Sequence, residues 1–169
     1  INSTPVLSGI NGLNTYCLDE NGIFDVVAGA DVDSIFWTVP SNATIVSGQG
    51  TTNLEVSWDT AGVNQLCVDF FNECGNTQEC ITTTVFNLPT AVISGSLFKC
   101  VESTDTLLLN LVLTGQAPWT VTIALDGTDL YTTTITNSPA TIPVVDVGSY
   151  TVSQVVGNNG CSNVGSGSG

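Results

Sequence analysis

Apolar residues in this chain alternate with polar ones in short bursts that soon stop. In Leu54-Glu55-Val56-Ser57-Trp58 every second residue is apolar, the period of a strand with one buried face. Similar bursts, rich in Val, Ile and Thr, predict strands over Pro5–Gly9, Ile23–Val27, Ser34–Val39, Thr44–Ser47, Asn53–Trp58, Gln65–Phe71 and Cys80–Phe86. A second set is predicted over Thr90–Ser94, Thr106–Leu113, Trp119–Leu125, Leu130–Thr136, Ala140–Val144, Ser149–Val156 and Ser162–Ser166. Turn signals separate them: Asn11-Gly12, Gly48-Gln49-Gly50 and, between two runs, the hairpin dipeptide Asp126-Gly127. No stretch carries a helical period of useful length. The last predicted strand is poor, because Val164 is its one large apolar residue and glycines weaken it.

The pattern also repeats. Cys17, Trp37 and Cys74 are echoed by Cys100, Trp119 and Cys161, and the two skeletons lie about 83 residues apart, a small-module period. About seven short strands per repeat predict an all-β chain of two tandem immunoglobulin-like β-sandwich domains. The predicted domains are residues 1–87 and 90–169, joined by a short linker at 88–89. Pro89 cannot donate to a strand ladder and biases Leu88 toward extended structure. So short a linker predicts modules placed end to end with restricted rotation. Trp37 and Trp119 sit in predicted strands and are expected in the two cores.

Composition narrows the function. The chain has 15 Asp plus Glu, one basic residue (Lys99), no His and a net charge of -14. Phosphate backbones and anionic lipid surfaces both need Lys and Arg, which excludes nucleic acid and membrane surfaces as partners. No apolar run is long enough to span a bilayer, so no membrane insertion is expected. Without His, neither a Ser-His-Asp nor a Cys-His arrangement can be built. Neither initiator Met nor a basic leader is present, and the chain is read as a piece of something longer.

Six cysteines, none in a Cys-x-x-Cys pair, fit three bridges in an oxidising compartment. If Leu66, Val68 and Phe70 point inward, Cys67 points outward. If Ile81 and Val85 point inward, so does Cys80 point outward on the next strand. A turn at Asn72–Gly75 then sets Cys67 against Cys80. That leaves Cys17–Cys74, which matches Cys100–Cys161 in the repeat. The rival set, Cys17–Cys67 with Cys74–Cys80, satisfies the same arithmetic. Each of the two long loops would stabilise its module by roughly 4 kcal/mol in the chain-entropy treatment.

The acidic clusters are Asp19 with Glu20, Asp31 with Asp33, and Asp126 with Asp129, all in predicted turns where Asp satisfies backbone N–H groups. Paired carboxylates could serve glycoside hydrolysis, but turn placement argues against catalysis. Oxygen-rich loops suit calcium, so a structural calcium ion at Asp19, Asp31, Asp33, Asp126 or Asp129 is the one cofactor considered. Trp58, beside Asp59 at a strand end, and Tyr131 are the candidate aromatic platforms for carbohydrate.

The stretch from Phe36-Trp37-Thr38-Val39-Pro40-Ser41-Asn42 through Gly48-Gln49-Gly50-Thr51-Thr52-Asn53 resembles PKD-like modules of Bacteroidetes surface proteins, as do Leu54-Glu55-Val56-Ser57-Trp58, Cys67-Val68 and Asn72-Glu73-Cys74-Gly75. The second half resembles the Ig-like repeats that follow such modules, in Leu113-Thr114-Gly115-Gln116-Ala117-Pro118-Trp119, Ser149-Tyr150-Thr151-Val152 and Gly160-Cys161-Ser162. Such tandem modules occur in large secreted adhesins, including gliding-motility adhesins exported by the type IX system. The resemblance implies a non-catalytic stalk at the extracellular face of a bacterial cell, with neighbouring modules of the same chain and surface glycans as partners. Asp33-Ser34-Ile35, Asp59-Thr60-Ala61 and Asp105-Thr106-Leu107 are similar to the short O-glycosylation motif of exported proteins of that group, implying glycan attachment at Ser34, Thr60 and Thr106. Two other functions compete: a carbohydrate-binding module using Trp58 and Tyr131, and a filament subunit that exchanges strands, prompted by the weak final strand.

Overall fold

A computed structural model describes residues 3–95 and 106–169, and the described chain is all strands and turns, without a helix. It divides into two compact units, Ile1–Asn87 and Leu88–Gly169.

The first unit contains β1 (Leu7–Gly12), β2 (Thr15–Cys17), β3 (Asn21–Ala28), β4 (Ser34–Thr38), β5 (Ala43–Ser47), β6 (Asn53–Trp58), β7 (Gly62–Asn72) and β8 (Gly75–Phe86). One sheet runs β1-β3-β6-β5 and the other β2-β8-β7-β4. Alternation decides which side chains meet between the sheets. Phe24, Val26, Leu54, Val56 and Trp58 come from one sheet, and Trp37, Leu66, Val68, Phe70 and Val85 from the other. Trp37 is 1% exposed and lies in this core, as its place in a strand predicts.

The element boundaries depart from the sequence pattern in informative places. The first strand begins at Leu7, because Ser3 and Pro5 spend their carbonyls on side chains of the β7–β8 hairpin: Asn72 Nδ2 donates to Ser3 O (2.9 Å) and Thr77 Oγ1 to Pro5 O (2.7 Å). Strand β2 was not expected from the pattern. It pairs in parallel with β8, Cys17 beside Phe86.

The second unit contains β9 (Thr90–Ser94), β10 (Leu107–Thr114), β11 (Trp119–Leu125), β12 (Thr128–Ile135), β13 (Ala140–Val144), β14 (Tyr150–Val156) and β15 (Ser162–Asn163). Its sheets run β13-β10-β9 and β12-β11-β14-β15. Ile93, Leu109, Leu111 and Ile142 face Trp119, Val121, Ile123, Val152 and Val155 across the core. Val152 and Val155 are three apart yet both buried. The register shift of β14 against β11, between Thr122 and Ile123, lets Ser153 bulge and resets the alternation.

The final segment is better held than its composition suggests. Beyond β15, Gly165 N donates to Val152 O (3.1 Å), and Tyr150 and Gly169 exchange bonds in both directions (2.9 and 3.0 Å). Ser166 also bonds β9, accepting from Ile93 N and donating to Ala91 O. Glycine permits this approach. A Cβ on Gly165 would overlap Val152, and Gly167 (φ +78°) packs against the Ile93 carbonyl.

Candidate functional sites

The β7–β8 hairpin is the longest ladder of the chain, running from Gly62↔Val85 to Asn72↔Gly75. Within it Cys67 lies directly opposite Cys80, and the two are bonded (S–S 2.05 Å, Cα–Cα 4.1 Å). Leu66 and Val68 on either side are fully buried, so the bridge sits on the outward face of its sheet.

The expected Cys17–Cys74 bridge is not formed. Cys74 is an exposed free thiol at the hairpin tip, its N–H bonded to Asn72 Oδ1 (2.9 Å). Cys17 sits beside Phe86, at the opposite end of β8. The 12 residues of that strand separate the two by roughly 36 Å, far beyond disulfide reach. The sequence repeat suggested the pairing, but strand length forbids it. Cys17 is nonetheless disulfide-bonded, and so is Cys161. The expected Cys100–Cys161 bridge involves Cys100, which lies outside the described residues.

Trp58, a candidate carbohydrate platform, is 5% exposed. Its ring packs on Tyr16 (centroids 5.7 Å) and Phe24 (6.3 Å) inside the first core. Strand parity sends it inward with Leu54 and Val56, so neither face can receive a sugar. Its Nε1 is buried without a hydrogen-bond partner among the described residues. Tyr131 is more open, at 38% exposure on β12. Burial raises its phenol above the ordinary 10.0, with a further push from Tyr150. Tyr150 is itself raised, first by burial, then by the charges of Asp146 and Asp126, against a lowering bond to the Asp146 backbone. That bond, Tyr150 OH to Asp146 O (3.1 Å), is the corner by which many sandwiches pin the start of a strand.

The acidic residues are spread out rather than gathered. Asp19 (φ 72°) and Asp126 (φ 50°) hold left-handed turn positions. Asp126 Oδ1 accepts from Ser149 N (2.8 Å), and Asp33 N donates to Phe71 O (2.8 Å). Asp31 and Asp129 are exposed. Among the described residues no three His, Cys, Asp or Glu side chains come together as a metal ion requires. Ser34, Thr60 and Thr106 are all exposed. Thr60 is engaged, its Oγ1 and carbonyl both accepting from Asn42 Nδ2 (3.3 and 3.4 Å).

One polar constellation escapes sequence reading. Gln49, in the turn between β5 and β6, clamps the free edge of β4. Its Oε1 accepts from Trp37 N (2.8 Å) while its Nε2 donates to Trp37 O (2.9 Å). The side-chain amide thus imitates a neighbouring strand. Trp37 Nε1 meanwhile donates to Thr51 O (2.9 Å) in the same turn. Gly48-Gln49-Gly50 gives the turn but no hint of its target. The buried pair Asn64 and Thr83, opposite each other in the hairpin, was equally hidden. Both are satisfied, Asn64 Nδ2 locally by Gly62 O (3.1 Å) and Thr83 Oγ1 by the distant Leu13 O (3.2 Å).

Residues 4–85 match the family described as PKD-like domain, a span that lies within the first unit. No match is found among curated proteins. Among solved structures, the I-band fragment I67–I69 from titin is similar over 99% of this chain and 65% of that one, with 18% identity and a TM-score of 0.58. A C-terminal 282-residue fragment of intimin, in complex with the intimin-binding domain of the translocated intimin receptor, is similar over 97% of this chain and 62% of that one, with 13% identity and a TM-score of 0.60. The chain therefore spans about two-thirds or less of the length of each. These likenesses establish the fold as tandem immunoglobulin-like sandwiches.

Proposed function

We propose that this chain is a non-catalytic spacer segment of a large bacterial cell-surface adhesin, acting in surface attachment or gliding. The observation that carries the reading is the match of residues 4–85 to the PKD-like domain family. The chemistry of the molecule supports it. Of the acidic side chains considered for catalysis or metal binding, Asp126 Oδ1 and Glu20 Oε2 accept from backbone N–H groups, of Ser149 and Cys17. The Cys67–Cys80 bridge belongs to an oxidising, extracellular compartment. In this reading, load passes along the strand ladders and the bridge limits how far the hairpin unravels. The partners are neighbouring modules of the same chain and, at a distant tip, a receptor protein or surface glycan. Intimin supports a protein receptor in general terms, since a fragment of this fold is held in a receptor complex. Glycans would be carried on exposed Ser34, Thr60 and Thr106.

A module exchange tests the proposal. In cells that display the parent protein, residues 1–169 are replaced by two unrelated immunoglobulin-like modules. A spacer predicts unchanged attachment and unchanged labelling of intact cells by antibody. Loss of attachment with labelling preserved would show that these modules bind the target themselves, and would overturn the spacer role.

A further inference from the structure

Two sandwiches in the described chain present eight sheet edges. A strand edge offers unpaired N–H and C=O groups, and proteins usually blunt it. In the first unit, β1 breaks register between Leu7 and Ile10, and β5 between Ile45 and Ser47. Strand β2 has three residues and covers only Thr84–Phe86 of β8, whose uncovered remainder carries the charged Glu79, and β4 is clamped by Gln49. In the second unit, β13 carries Pro143, β9 is bonded to Ser166, and β15 has two residues. Seven edges thus carry a device. The eighth, β12, is eight residues long. Its register shift against β11, between Ile123 and Ala124, bulges Leu130 and leaves Tyr131–Ile135 regular. Among the described residues, no group outside β11 bonds the backbone of β12.

The open stretch reads Tyr131-Thr132-Thr133-Thr134-Ile135, with neither charge nor proline. Paired antiparallel with itself about Thr133, it sets Tyr131 against Ile135, an aromatic with a β-branched residue, and Thr132 against Thr134, a hydroxyl pair. Both are favourable cross-strand neighbours. Asp129 falls outside the paired stretch, so the register brings no carboxylate opposite another. Tyr131 and Ile135 share the inward face of their sheet with their partners Ile123 and Trp119, so a neighbouring strand would cover rims that are still exposed.

We propose that β12 is a lateral docking edge for a second copy of this chain, the two β12 strands joining antiparallel through Tyr131–Ile135 to make one continuous eight-stranded sheet. The occupant is a second copy because the neutral stretch, paired with itself about Thr133, supplies both members of each favourable cross-strand pair and sets no charge against another. The cost is repulsion between two molecules of charge -14, which salt screens over about 8 Å at physiological ionic strength. Association is therefore weak at low salt and stronger at high salt, opposite to an interface held by ion pairs.

The test uses the full chain with Cys74→Ser, which removes dimers linked through that thiol. Sedimentation equilibrium should show a monomer–dimer equilibrium whose dissociation constant tightens by about tenfold between 0.02 and 0.5 M salt. Thr133→Pro and Thr134→Pro are compared beside it. Successive residues of an edge strand direct their N–H groups to opposite sides, so one variant loses an outward N–H and stays folded while the other breaks a bond to β11. The variant that keeps the parent melting temperature should be monomeric throughout. If neither folds, amide exchange in the Cys74→Ser chain decides, and protection of residues 131–135 should rise with protein concentration. A parent that stays monomeric to about 1 mM, a folded proline variant that still dimerises, or protection independent of concentration each overturns the proposal.

Discussion

Gln49 shows how one side chain can finish a sheet. The backbone of Trp37 turns one N–H and one C=O away from β7, and a single amide satisfies both. Gln49→Ala leaves both groups without that partner and should lower the stability of the first unit by about 1–2 kcal/mol in chemical denaturation. Gln49→Glu should be no better, because a carboxylate accepts from Trp37 N but confronts Trp37 O with a second acceptor. If both variants melt with the parent, solvent already serves these groups and the clamp is ornamental. Trp58 teaches the complementary lesson. Its neighbour Asp59 and its place at a strand end suggested an exposed ring, yet parity with Leu54 and Val56 was the stronger signal and placed it in the core.

Strands and hairpins are the scale at which the chain was most legible. Alternation located nearly every strand, because a half-buried strand must repeat every two residues. The same parity argument oriented Cys67 and Cys80 outward and opposite each other. What alternation could not supply was the long-range partner of a short or glycine-rich segment. Strand β2 has three residues, too few to show a period. The glycine–serine tail has no period at all, and its fit depends on Val152 and Ile93, which lie far away in sequence. The Cys17–Cys74 pairing failed for a related reason. Repeat symmetry speaks of sequence spacing, whereas β8 sets the distance. The Cys67–Cys80 bond closes a separation of 13 residues, and Cys67→Ala with Cys80→Ala should cost the first unit about 3 kcal/mol. Calorimetry should register a fall in its melting temperature of roughly 10–20 °C, and an unchanged transition would show that the hairpin is held by its ladder alone.

For the molecule as a whole, alkaline pH should bear unequally on the two units. Both raised phenols, Tyr131 and Tyr150, belong to the second unit. Burial favours the neutral phenol in the folded state, so the unfolded chain ionises first. Their contribution to stability is complete below pH 10.0 and is lost as pH climbs through the higher folded values. Melting of the second unit should therefore fall as pH rises above 10.0, and Tyr150→Phe should flatten that fall while removing the corner bond at every pH. A pH-independent melt would place both rings in water-like surroundings. One lysine and no histidine leave little room for phosphate recognition or for imidazole chemistry, whatever the fold.

The outward position of the Cys67–Cys80 bond has a kinetic corollary. Cys80 is an exposed residue on the outward face of its sheet, so small thiols and oxidoreductases can approach this crosslink while the core stays shut, and its cleavage need not wait for unfolding. Its rate should climb in proportion to reagent concentration and ignore mild denaturant, which makes the hairpin a fuse that the surroundings can blow without melting the bead that carries it.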